Sequence, residues 1–263
     1  FRGLKIDNLE KDWKIYPVFH IDFNGGNFTE KGILEKWIGG YITSWEREFH
    51  FETNRELPLG LRFIEILKYV HEQTGRRAVV LVDEYDKPIL DVLDVDTSLE
   101  EEHRNILKGF YSVFKGADEH LQFVFLTGVT KFAQVSVFSD LNQLNDISMD
   151  RAYNALCGIT QDELIKTFGP EIQRLSENEE LTLEETIFRL AKKYDGYHFC
   201  EDTSVGLFNP FSLLNVFQKL KFGNFWFQTG TPTYLVDLLK KSDYDLRLLL
   251  NGVEVTASAF SEY

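Results

Sequence analysis

Cysteine is scarce in this chain. Cys157 and Cys200 are the only two in 263 residues, with neither the paired spacing of a zinc site nor the density of a secreted disulfide scaffold. A stapled extracellular module is thereby excluded, and a reducing, cytoplasmic setting fits. Long apolar runs are missing as well. No stretch approaches the roughly 18 consecutive apolar residues that a membrane span needs, so the sequence predicts a soluble protein. Positive charge is in deficit. The 28 Lys and Arg against 42 Asp and Glu leave a net charge of −14, which repels polyphosphate backbones and argues against non-specific nucleic-acid binding without a local basic patch. His20, His50, His71, His103, His120 and His198 form no His-Glu-x-x-His pair, and no serine lies in a Gly-x-Ser-x-Gly elbow. Metalloprotease and serine-hydrolase chemistry fall away. Repeats and low-complexity tracts are also lacking.

What is present is enough apolar material for one large domain, or a core domain with a smaller attachment. The hydrophobic fraction is 43%, and 23 Phe, 11 Tyr and 4 Trp predict an aromatic-rich interior. The chain opens at Phe1 without Met or a targeting signal and closes at Tyr263 after a polar, β-prone stretch, so it reads as an excised fragment.

Tyr16 to Phe23 is a short apolar and aromatic run closed by Asn24-Gly25-Gly26, the pattern of a strand ending in a turn. A segment over Thr29 to Phe51 follows. Gly60 to Thr74 repeats Leu61, Ile64, Leu67, Tyr69 and Val70 at roughly helical spacing, with Gly75 as its cap. Ala78-Val79-Val80-Leu81-Val82 is continuously apolar and β-branched, as expected of a strand buried in a parallel sheet, and Asp83-Glu84 stands at its carboxyl end. Ser98 to Lys115 reads as a helix opened by a Ser98/Glu101 capping box. Leu121 to Leu126 is another apolar strand, ending in Thr127-Gly128-Val129-Thr130-Lys131. A short strand is expected around Asp146-Ile147-Ser148. Helices are then expected over Thr160 to Phe168, Thr182 to Tyr194, Pro210 to Lys219 and Thr231 to Lys240. The acidic run Glu177 to Glu180 reads as solvated surface. The aromatic clusters Tyr194 to Phe199 and Phe222 to Phe227 read as packing among those helices. Strands alternating with helices predict an α/β fold with its site at the strand carboxyl ends.

Four apolar residues followed by Asp83-Glu84 match a Walker B segment. One carboxylate there helps hold magnesium, and the other orients the water that attacks a terminal phosphate. Adjacent residues at a strand tip point to different sides, so the two can serve separate tasks. A buried strand that merely exits into solvent through acidic residues gives the same pattern. Thr127 or Thr130 stands where a phosphate-sensing residue is expected, though either suits a turn, and Lys131 is a further phosphate-contact candidate.

These stretches together resemble the AAA-ATPase-like family, whose members are often fused to a PD-(D/E)XK nuclease-like domain. The resemblance rests on Tyr16 to Phe23, Val80 to Pro88, Gly109 to Ser112 and Phe123 to Phe132. It continues through Phe138 to Asn142, Tyr194 to Phe199, Asn209 to Ser212 and Phe225 to Pro232. It implies a P-loop NTPase-like parallel sheet with flanking helices over residues 1–155 and a helical lid over 156–263. It also implies ATP and Mg2+ as cofactors, Asp83 on the magnesium side, Glu84 on the water side, and Thr127 or Thr130 as sensor. The family's phosphate loop, ending in Gly-Lys-Ser, has no counterpart here, because no Gly-x-x-x-x-Gly-Lys-[Ser/Thr] occurs. Asn24-Gly25-Gly26-Asn27 lacks the lysine and hydroxyl and reads as a turn. Weak ATP binding by this chain alone is expected, with ATP held through an upstream loop. A non-catalytic interaction or regulatory module on the same fold is the other reading. Arg104 and Arg151 are the available arginines for a finger role.

Overall fold

The computed structural model describes residues 1–129, 144–200 and 206–225. Its contacts divide the chain into two compact units, one running to Leu144 and one starting at Asn145. The expected helix over Thr231 to Lys240 lies outside the described residues, as do Thr130 and Lys131.

In the first unit, a short helix α1 (Lys5–Leu9) precedes β1 (Val18–Asp22). Then come α2 (Ile33–Glu48), α3 (Leu59–Thr74), β2 (Ala78–Asp83), the single turn α4 (Lys87–Leu90), α5 (Thr97–Tyr111), α6 (Val113–Gly116) and β3 (Leu121–Leu126). The strands form a three-stranded sheet in the order β1-β2-β3, and they run parallel throughout, the direction that the sequence predicted. Val18 pairs with Val79, Asp22 with Asp83, and Val82 with Leu126. Between consecutive parallel strands the chain must return along the sheet, and α2 with α3 and α5 with α6 make those returns.

One face of the sheet is sealed. Phe19, Ile21, Val80 and Val82 are buried beneath Leu34, Ile38 and Ile42 of α2 and Phe63, Ile66 and Leu67 of α3. Spacings of three and four residues put each set on one helix stripe. Each large apolar side chain so buried contributes about 1.5–3 kcal/mol. Phe19, Trp45, Phe63 and Phe110 pack ring to ring, with centroids 5.0–5.5 Å apart. The opposite face stays open at Val18 and Phe123, which are 51% and 54% exposed.

Several local expectations are corrected. Helix α5 is capped by Asp96, whose Oδ1 accepts from Leu99 N at 2.9 Å, and not by Ser98. An aspartate at this position adds favourable charge at the helix amino terminus. The helix ends at Tyr111, four residues before Lys115, where the Ser112 hydroxyl turns back onto the Gly109 carbonyl. Asp146 to Ser148 is a turn and not a strand, because Asp146 Oδ1 accepts from Ser148 N. Gly75 caps α3 in the left-handed region, as expected.

The second unit contains α7 (Gln161–Asn178), α8 (Leu183–Tyr194) and α9 (Pro210–Lys219). Thr160 with Glu163 and Thr182 with Glu185 form reciprocal capping boxes at the starts of α7 and α8. Helix α7 runs past the expected end at Phe168, kinking there ahead of Pro170, which has no amide to donate. Leu164, Leu175, Leu190, Phe208, Leu213 and Val216 make its core. From the two aromatic clusters, Tyr194 and Phe225 are buried in that core and Phe222 packs against it, while Tyr197 is 40% exposed. The Tyr194 hydroxyl donates to Gly223 O at 2.8 Å and accepts from Gly223 N at 2.9 Å, so one phenol pins the chain beyond α9. Among the described residues no helix is long and apolar enough to cross a membrane.

The loop between α2 and α3 is held by a buried ionic knot. Glu46 Oε1 accepts from Arg62 Nη2 at 2.7 Å and from the Thr53 hydroxyl, while Arg62 Nε donates to Thr53 Oγ1 at 2.9 Å. Burial pushes the Glu46 carboxyl up, but the hydrogen bonds from Thr53 and Arg62 outweigh it and leave the group below its ordinary value. A lowered carboxylate stabilises the fold above its unfolded-state pKa and loses that contribution as pH falls through its folded one. Glu46→Gln is expected to cost about 3 kcal/mol at neutral pH, since Arg62 keeps a buried charge without its counter-ion. Urea unfolding from pH 7 downward checks this, with the gap to the parent narrowing once the solution is more acidic than the ordinary carboxylate range.

Candidate functional site

All three strands present their carboxyl ends at one edge of the sheet, so the residues that terminate them converge. Asp22 ends β1, Asp83 ends β2, and Thr127 follows β3. The β1 end is fixed from beneath. The Trp37 indole donates to Asp22 O at 3.1 Å, and the Tyr41 hydroxyl lies 3.1 Å from both the amide and the carbonyl of the same residue. The Asp22 carboxylate turns outward and accepts from Asn24 N at 2.7 Å, closing the predicted turn.

Backbone pairing continues past the named strands. Phe23 N donates to Asp83 O at 3.1 Å, Thr127 N to Val82 O at 2.9 Å, and Tyr85 N to Thr127 O at 2.9 Å. This carries the ladder one step into the loops and brings the Thr127 hydroxyl onto Asp83 Oδ1 as a donor. The expected neighbours Asp83 and Thr127 are therefore in direct contact, although 44 residues separate them.

Glu84 occupies the left-handed region at φ +54°, an unusual conformation for a residue with a Cβ. The chain bends there, directly after Asp83 ends β2. Partial burial, then the charges of Asp86 and Asp83, push the Glu84 carboxyl above its ordinary value, with Lys87 opposing. Such a carboxylate is more basic than a free glutamate and suits orienting or deprotonating water.

Sequence reasoning passed over Asp86. It stands at the amino end of α4 with a proline following, which reads as a helix cap, yet its side chain makes no cap bond. It is fully buried, and both carboxylate oxygens face Val129 N, at 3.0 and 3.2 Å. Nearby, Lys87 Nζ pairs with Asp91 at 2.7 Å, and Asp91 in turn accepts from Phe28 N at 3.1 Å. Of the two arginines, Arg104 pairs with Glu100 on its own helix at 2.7 Å, and Arg151 lies in the second unit.

Among the described residues no group of three or more His, Cys, Asp or Glu side chains is placed to hold a metal alone. Magnesium seldom asks for such a cage. It keeps several waters and takes one or two carboxylates beside phosphate oxygens, and the exposed Asp83 with its hydroxyl neighbour is a donor set of that kind.

Fold and strand tips define an α/β protein with an acidic site at the carboxyl edge of a parallel sheet, of the kind that handles ligands where its strands end. The chain belongs to the AAA-ATPase-like family, described as predicted AAA-ATPases, whose profile matches residues 1–138. It is 42% identical over 241 residues to a protein of Azotobacter chroococcum mcd 1 described as an uncharacterized protein in the vnfD 5′ region. That alignment takes in 91% of this chain and 43% of the relative, so the chain spans less than half of that protein's length. No solved structure matches the chain.

Gly128 tests how tightly the site is closed. A Cβ there would lie 2.4 Å from Tyr85 Cε1 and 2.6 Å from Asp86 Oδ1, both on buried side chains. Gly128→Ala is expected to destabilise the protein by about 1–3 kcal/mol, measured by urea unfolding.

Proposed function

We propose that this chain is the greater part of a P-loop-type ATPase module, with residues 1–155 as the α/β core and 156–263 as a helical lid. The observation that carries the reading is the parallel order β1-β2-β3, with Asp83-Glu84 at the tip of the middle strand and the Thr127 hydroxyl on Asp83. In ATPases of this type the Walker B strand lies between two parallel neighbours, one of which carries the sensor. The open sheet face at Val18 and Phe123 also supports it, because parallel sheets are covered on both faces and a P-loop strand and helix belong beyond β3.

In this reading Glu84 orients the attacking water and takes its proton, and its raised basicity suits that task. Asp83 bears on the magnesium side through a carboxylate oxygen, directly or through water, and Thr127 reports the terminal phosphate. Thr130 and Lys131 remain sequence-based phosphate contacts. Bound magnesium would neutralise the phosphate charge that builds up in hydrolysis. Energy from ATP would move the lid and any attached domain, for which a nuclease-like module is the family's precedent. The second reading, a non-catalytic module on this fold, draws on the lack of a Gly-Lys-[Ser/Thr] loop within residues 1–263.

In the native-length protein, Glu84→Gln should preserve ATP affinity and lower turnover by about a hundredfold, as loss of a general base does. Phosphate release at saturating ATP is the measurement, and unchanged turnover removes Glu84 from the role. Asp83→Ala should shift the magnesium titration of the same reaction to higher concentration. Calorimetry on residues 1–263 alone should show only weak ATP binding, because backbone amides and a lysine of a phosphate loop normally hold the phosphates. Submicromolar affinity of this chain would refute that part. A parent protein of native length without hydrolysis would favour the non-catalytic module.

A further inference from the structure

Asp86 is a carboxylate withdrawn completely from water, a placement that costs several kcal/mol, and both of its oxygens are turned to the amide of Val129 in the loop after β3. Capping its own short helix would be the ordinary use of an aspartate before Lys-Pro, and the side chain has turned away from it. The segment it grips is the one that carries Thr127. Among the described residues, four bonds join this segment to the β2 exit: Thr127 N to Val82 O, Tyr85 N to Thr127 O, the Thr127 hydroxyl to Asp83, and Val129 N to Asp86. The last of these four lies beyond the threonine, on the far side of Gly128, and Gly128 itself lies flush against the Tyr85 ring and Asp86.

We propose that Asp86 is a positioning residue for the strand-tip site: it clamps the Thr127–Val129 loop to the Asp83–Tyr85 turn, so that the Thr127 hydroxyl stays on Asp83. The functional half of this rests on the ATPase reading, and the structural half does not. The clamp fixes the distance between the sensing hydroxyl and the carboxylate on the magnesium side, which are carried on different strands. Its loss leaves nucleotide binding intact and lowers the rate of the chemical step, because misplacement of about 1 Å near reacting groups is enough to slow catalysis up to a hundredfold.

Two measurements test it. Amide exchange on residues 1–263 reads the clamp itself. Asp86→Ala should speed exchange at Val129 and Gly128 by about tenfold or more, while β1 amides keep the parent rate and Asp86→Asn, which retains an acceptor oxygen, stays close to the parent. Unchanged exchange at Val129 in Asp86→Ala overturns the clamp, whatever the protein does with ATP. Steady-state hydrolysis by the native-length protein reads the consequence. Asp86→Ala should lower kcat about tenfold or more with KM for ATP within twofold, and Asp86→Asn should recover most of it. A raised KM with kcat unchanged overturns the positioning role. Should Asp86→Ala not fold, Val129→Pro removes the donor from the other side and should give the same kcat loss, and a Val129→Pro protein with parental kcat overturns the proposal. Absence of hydrolysis in the parent defeats the ATPase reading, and the exchange experiment still decides the clamp.

Discussion

Parallel pairing on both edges of β2 governs everything else in the first unit. Because β1, β2 and β3 run the same way, the chain must cross the sheet between strands, which brings α2, α3 and α5 onto the Phe19/Val80 face. The same constraint places every strand exit at one edge. Asp22, Asp83 and Thr127 meet there because they occupy equivalent positions on neighbouring strands, and extension of the ladder through Tyr85 N and Thr127 O holds them in step. An antiparallel β3 would have sent Thr127 to the opposite end of the sheet.

Much of this was legible in residue order. The continuously apolar run Ala78 to Val82 describes a strand of a parallel sheet, and β2 is the middle strand of one. Glycine after a periodic segment marked the end of α3, and the expected helix starts at Thr160 and Thr182 are where α7 and α8 are capped. Local competition was harder to read. Both Asp96 and Ser98 are good helix caps with an acidic residue downstream, and the choice fell to the one whose carboxylate reaches Leu99 N. Asp146-Ile147-Ser148 has an apolar centre, but an aspartate that bonds to the amide two residues on makes a turn cheaper than a strand.

The site divides along the same line. Asp83 and Glu84 stand out because carboxylates directly follow an apolar run, and Thr127 because it follows the next one. Asp86 does not stand out, since Asp-Lys-Pro is an ordinary helix start and only the third dimension shows its carboxylate buried against Val129. The left-handed backbone at Glu84 is equally silent in sequence: no glycine or asparagine advertises it, and the surrounding pairing imposes it. Side chains that act within one strand or helix are visible in sequence, whereas those that bridge two strand ends 43 or 44 residues apart are not.

The half-exposed Val18 and Phe123 also bear on how copies of this chain behave toward one another. An apolar sheet face of this kind is attractive at short range, while a net charge of −14 repels at long range. The two forces have different reaches, and only the second depends on ionic strength. At 0.1 M salt the repulsion is cut to about 10 Å, and at 1 M to about 3 Å, shorter than a side chain. Colloidal stability of residues 1–263 therefore rests on electrostatics and not on a sealed surface, and a concentrated solution that stays clear in dilute buffer loses that protection as salt is added.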